Sequence, residues 1–226
     1  MSIAPEDALP TTGLVCVVGA GGKKTTLYTL ANRLDCGVVT ATVRIPIFDD
    51  HVARVVVTEG PTDALAAATE PGFPLGLVPE REREDRYLGY DPAVVDDLAA
   101  AHDGPVLVKA DGARMREFKA PSDREPQIPA AADAVIPIAS AHVVGEALAD
   151  ERVHRPERVA AIAGIDEGEA VPAEAGGPGL ASPQGGPEDP PADAEAAGPL
   201  NQAGPAAAAT RPPATSDGAS SDVRAW

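Results

Sequence analysis

The chain has 226 residues, with 35 acidic side chains against 18 Lys and Arg and a formal net charge of -17. That excess of negative charge weighs against nucleic acid or an anionic membrane surface as the main partner. The length is enough for one domain with a buried core. Lysine occurs only at Lys23, Lys24, Lys109 and Lys119, and the remaining positive charge is arginine. An acidic, lysine-poor surface suits a high-salt cytoplasm, where screening and bound water keep such a protein in solution.

Residues 1–12 carry two prolines and two carboxylates and read as a flexible leader. Their polarity does not match a secretory signal, and no apolar run reaches membrane-spanning length, so the expectation is a cytoplasmic protein without a membrane partner. Cys16 and Cys36 fit buried thiols better than a disulfide or a metal site.

Residues 13–18 are apolar throughout, as in a parallel strand covered on both faces. The run empties into Gly19-Ala20-Gly21-Gly22-Lys23-Lys24-Thr25-Thr26, and a helix with Leu27, Leu30, Ala31 and Leu34 on one stripe follows over about 24–34. A strand ending in glycines and opening a helix makes a phosphate cradle, because backbone N–H groups at the helix start point at an anion. Lysine adds mobile positive charge, and the Thr25 hydroxyl suits the Mg²⁺ that accompanies nucleotide phosphates. The spacing departs from G-x-x-x-x-G-K-[ST], which leaves open whether Lys23 or Lys24 is the phosphate lysine. A glycine-rich turn that binds nothing is the competing reading.

A second strand over 37–43 ends near Thr42 and Arg44, at the carboxyl edge where open α/β sheets bind ligands; threonine's preference for strands explains Thr42 equally well. Residues 45–51 read as a loop, 54–58 and 73–78 as short strands, 61–68 as a helix and 80–86 as a solvated charged segment. Asp91 and Pro92 open a further helix that Gly104 ends. The apolar run from Pro105 ends in Lys109-Ala110-Asp111-Gly112-Ala113-Arg114. An aspartate at a strand tip facing a phosphate loop has the place of a Walker-B-type metal carboxylate, with Thr25 as its companion ligand; a plain turn is the alternative. Residues 114–129 form a charged, proline-rich loop suited to a lid or substrate element. In it Arg114 and Lys119 suit anionic groups and Glu125 a proton or cation. A strand over 134–138, a short helix over 145–150 and a last helical stretch over 156–164 complete the domain, 13–166. From residue 167 the composition predicts a disordered tail to residue 226.

Gly19-Ala20-Gly21-Gly22-Lys23 with Thr25-Thr26, Thr40-Ala41-Thr42, Ala110-Asp111-Gly112-Ala113-Arg114, Lys119-Ala120-Pro121 with Glu125-Pro126 and Ile128-Pro129, and Val153-His154-Arg155 together resemble the selenium-dependent hydroxylase accessory protein family of the YqeC type. The family pattern resembles G-A-G-G-K-T-T, so Lys23-Lys24 carries one extra lysine. Leu180-Ala181-Ser182-Pro183-Gln184-Gly185-Gly186 and Pro199-Leu200-Asn201-Gln202-Ala203-Gly204 resemble remnants of the family's late segments. No aspartate follows Asn201 to read guanine. The resemblance implies a mainly parallel, three-layer, P-loop NTPase-like α/β fold that binds ATP or GTP with Mg²⁺. It also implies a partner in the maturation of molybdenum hydroxylases. Three functions are consistent with these residues: a nucleotide-dependent accessory protein, with or without Mg-dependent NTPase activity; a small-molecule kinase or nucleotidyl transferase; and a non-catalytic, decayed paralogue. The site residues expected are Gly19, Gly21, Gly22, Lys23, Lys24, Thr25, Thr26 and Thr42 for the nucleotide, and Asp111, Arg114, Lys119 and Glu125 for the chemistry.

Overall fold

The computed structural model describes residues 4–175 and the backbone of 195–196 and 200–201. Helix α1 (Pro5–Ala8) is one turn, tied by the ion pair of Glu6 with Arg33 at 2.6 Å. Strand β1 (Leu14–Gly19), helix α2 (Lys23–Ala31) and strand β2 (Val38–Ala41) follow, with β3 (Ile45–Pro46), β4 (Arg54–Val57), α3 (Pro61–Ala66) and β5 (Leu75–Val78) after them. Next come β6 (Arg86–Tyr87), α4 (Pro92–Ala100), β7 (Val106–Lys109), β8 (Phe118–Lys119), β9 (Ala134–Ala139), β10 (Val153–His154) and α5 (Pro156–Ala163). The two-residue strands β11 (Glu195–Ala196) and β12 (Leu200–Asn201) pair with β9.

The central sheet runs β9-β1-β7-β2-β5-β4, and every pairing in it is parallel. Its strands are near-continuous apolar runs because helices cover both faces. Alternate residues of β1 show this directly. Val15 and Val17 pack with Leu27, Leu30 and Ala31 of α2, while Leu14, Cys16 and Val18 pack with Leu65 of α3 and with Val95 and Leu98 of α4. The three-layer, mainly parallel architecture expected from the sequence is thus present. Helix α4 starts where the Asp91 carboxylate accepts a hydrogen bond from Ala93 N–H at 3.0 Å, as its N-cap chemistry requires.

A smaller core sits beyond the sheet's carboxyl edge. Phe118, Val143, Leu148, Val153, Val159 and Val171 are its buried side chains. It includes β8 and β10, a two-stranded parallel ladder that joins the charged loop to the start of α5.

Several sequence expectations are corrected. Residues 145–150 form turns, not a helix. Their backbone groups bond to a neighbouring segment instead, with Gly145 N–H to Val171 O and Leu148 N–H to Glu169 O, both at 2.8 Å. The loops expected at 45–51 and 114–129 contain β3 and β8. Helix α2 begins one residue early and ends at Ala31. Packed structure also continues past residue 166, because Val171 and Ala175 are buried in the smaller core. The segment from Leu180 to Gly186 lies outside the described residues.

Candidate functional site

The site forms where β1 and β7, neighbours in the sheet, both end. The turn after β1 has left-handed φ angles at Gly19 (95°), Gly21 (76°) and Gly22 (137°). A Cβ on Gly19 would stand 2.1 Å from the Ile138 carbonyl oxygen, and one on Gly21 2.7 Å from that of Glu117. Only glycine permits this backbone and this packing. The first intrahelical bond of α2 runs from Thr26 N–H to Gly22 O at 3.0 Å. The N–H groups of residues 23–25 therefore precede the helix ladder and face out of its N-terminus, as at an anion-binding helix start.

Lys23, the first helical residue, is buried and turns back toward the turn. Its ammonium donates to Gly19 O and forms an ion pair with Asp111 Oδ1, without the alignment of a hydrogen bond. Asp111 Oδ2 accepts from Gly19 N–H at 2.8 Å and meets Lys119 Nζ at 2.8 Å. One carboxylate thus joins the glycine turn, the helix start and the charged loop. Burial pushes the Asp111 carboxyl upward, but Lys23 and Lys119 outweigh it and hold the group below its ordinary range. Burial lowers the Lys23 ammonium, and Asp111 offsets only part of that.

Lys119 also donates to Gly112 O at 2.6 Å and lies 3.4 Å from Glu125 Oε2. Glu125 Oε2 in turn accepts from Gly112 N–H at 3.1 Å. Arg155 approaches the same oxygen at 4.0 Å and donates to Ala120 O at 3.1 Å. Below this layer, Lys109 donates to Arg44 O at 2.8 Å and Asp111 O at 2.7 Å. Burial, and then the charge of Lys23, lower the Lys109 ammonium to about 7. Three of the four lysines are therefore buried around Asp111.

The other expected residues lie at the periphery. Lys24 and Thr26 are half-buried, and Thr25 is exposed. Thr42 is buried and donates to Gln127 O at 2.6 Å, which ties the end of β2 to the charged loop. Arg44 pairs with Glu82 on the surface at 2.6 Å. Arg114 is exposed, in a left-handed conformation with φ 47°. His154 and Arg155 belong to the site but carried no role on composition or spacing alone. The sign of them was His154-Arg155 standing directly before a helix-opening proline.

The expected pair of metal ligands differs in exposure, Thr25 being exposed and Asp111 buried. Asp111 Oδ2 is bonded to Gly19 N–H and Lys119, while Oδ1 lies beside the Lys23 ammonium with no hydrogen-bond partner. No cluster of three or more His, Cys, Asp or Glu side chains among the described residues is arranged to hold a metal ion.

These features define a parallel α/β protein whose first strand empties into a glycine–lysine turn faced by a buried aspartate. A family model described as YqeC protein matches residues 15–157. The chain belongs to the YqeC family. It is 29% identical over 157 residues to an Escherichia coli (strain K12) protein described as "Uncharacterized protein YqeC". That match covers 67% of this chain and 61% of the relative, so the chain spans less than two thirds of the relative's length. No solved structure matches the chain significantly. Among the described residues no helix is long and apolar enough to cross a membrane.

Proposed function

We propose that the chain is a nucleotide-binding protein whose glycine turn and Lys23 hold the phosphates of ATP or GTP. The single observation that carries this reading is the Gly19–Lys23 turn. Three left-handed glycines bring the α2 N-terminus and a buried lysine to one point at the carboxyl edge of a parallel sheet. Backbone N–H groups and an ammonium are what a phosphate needs there. In the resting arrangement Asp111 occupies Lys23. A phosphate would compete for that ammonium, and Lys119 would remain on the carboxylate. With Lys23 drawn to a phosphate, Asp111 Oδ1 and the Thr25 hydroxyl are the groups that would hold an accompanying Mg²⁺.

The cellular role we attach is the one the family resemblance implies, support of molybdenum-hydroxylase maturation in the cytoplasm. A kinase or nucleotidyl transferase on the same cradle is favoured by one observation, the Lys119–Glu125–Arg155 group beside Gly112. Equilibrium titration of the full chain with ATP, GTP and CTP, with and without Mg²⁺, tests the common core. Saturable binding of at least one nucleotide is expected. No binding of any of them overturns the reading.

A further inference from the structure

Beside the glycine turn lies a second concentration of positive charge that phosphate binding by Lys23 does not use. In the β8–β10 ladder Phe118 pairs with Val153 and Lys119 with His154. Side chains alternate along each strand. Phe118 and Val153 point into the smaller core, so Lys119 and His154 share the opposite face, on which Lys119 meets Asp111 and Gly112. Arg155 follows with a left-handed φ of 65° and leans toward Glu125. Arg114 and Met115, with φ 47° and 64°, project from the neighbouring turn, and Met115 is 83% exposed.

Left-handed backbone at three non-glycine residues is costly and persists only where the surrounding structure over-determines it. The charge is unbalanced too. Lys23, Lys119 and Arg155 meet two carboxylates, Asp111 and Glu125, and Arg114 adds a further positive charge near His154, in a chain whose net charge is -17.

We propose that this face, with Lys119 and His154 as its floor and Arg114 and Arg155 at its rim, binds a small-molecule oxyanion, a phosphate or carboxylate group, at a site separate from the glycine turn. Lys119 is already bonded to Asp111, Gly112 and Glu125, so it supplies field rather than a new bond. The guanidinium forks supply the directed donors. His154 reports on occupancy. Burial lowers its imidazolium, the charges of Arg155, Lys119 and Arg114 lower it further, and only Glu125 opposes them. A bound anion reverses that balance, so binding takes up a proton and tightens as pH falls.

The site stands whether or not the glycine turn takes a nucleotide, and one experiment separates the two. The imidazole NMR signals of the full chain are titrated against pH in sodium sulfate, in sodium formate and in sodium chloride of equal ionic strength, with His154→Gln to assign the signal. Sulfate or formate should raise the His154 midpoint by about one unit, saturably, relative to chloride. Sulfate acting alone marks a phosphate-type ligand and formate alone a carboxylate. The rise should survive Lys23→Ala and vanish in Arg114→Gln and in Arg114→Gln/Arg155→Gln. The single Arg114 change sits on an exposed side chain and does not threaten folding. Equal midpoints in all three salts overturn the proposal, as does a rise that Lys23→Ala removes or that persists without both arginines. Loss of ATP and GTP binding with these results intact sinks only the nucleotide reading.

Discussion

Lys119 Nζ lies 2.8 Å from Asp111 Oδ2, and both side chains are 2% exposed. This ion pair joins the short β8 strand to the tip of β7, so the smaller core and the central sheet meet through charge. Removing one member of a buried pair strands the other, at a cost of about 3–5 kcal/mol. Lys119→Met should lower unfolding stability by that order in urea titration. An unchanged midpoint would show that the pair contributes nothing.

Asp111→Asn should change the response to acid. Because the native carboxyl is held below its ordinary value, its stabilisation is complete above the unfolded-state value. It is lost as pH falls through the native one. The variant should be less stable than the parent at neutral pH and should converge on it at low pH. A constant gap down to the acid limit would refute the linkage.

Lys109 should act with the opposite slope. Its ammonium titrates near 7 in the fold and at about 10.4 in the unfolded chain. Between those values the unfolded state holds the extra proton, so stability rises with pH across the window. Lys109→Met should flatten the rise between about pH 7 and 9.5. Thermal melts across that range decide it.

The two adjacent lysines should separate cleanly. Lys23 is buried against Gly19 O and Asp111, and Lys24 is half-buried. Lys23→Ala should abolish nucleotide binding, whereas Lys24→Ala should change affinity less than tenfold, about 1.4 kcal/mol. Equal losses in calorimetric titration would mean that the phosphate lysine is not fixed by this burial.

Gly21→Ala places a methyl 2.6 Å from Ser140 Cβ at a φ of 76°. The expected loss is about 1–3 kcal/mol of stability together with the affinity for nucleotide. A folded variant that binds as the parent does would show that the turn's backbone is not what meets the phosphate.

Much of this was legible in the chain. The unbroken apolar run of 14–18 reads as a doubly covered parallel strand because burial on both faces removes the need for alternation. The helix stripe through Leu27, Leu30 and Ala31 reads equally directly. Which lysine turns inward was not legible, since adjacent residues on a first helical turn differ in direction only once the helix start is fixed. Nor was the engagement of Asp111. Its partners, Lys23 and Lys119, are 88 residues back and 8 residues on, and the charged loop between Arg114 and Pro129 carries no periodicity to place Lys119. Residues 145–150 misled because a short apolar cluster resembles a helical turn. The bonds that set its shape come from residues 168–171.

The burial of three lysines also makes the protein's amines a gauge. Lys23 is 6% exposed, Lys109 7% and Lys119 2%, which leaves Lys24 as the lysine open to an acylating reagent at rest. Each further lysine that such a reagent labels would record an excursion in which the Asp111 cluster came apart, so peptide mapping of labelled amines would time the opening of the site residue by residue.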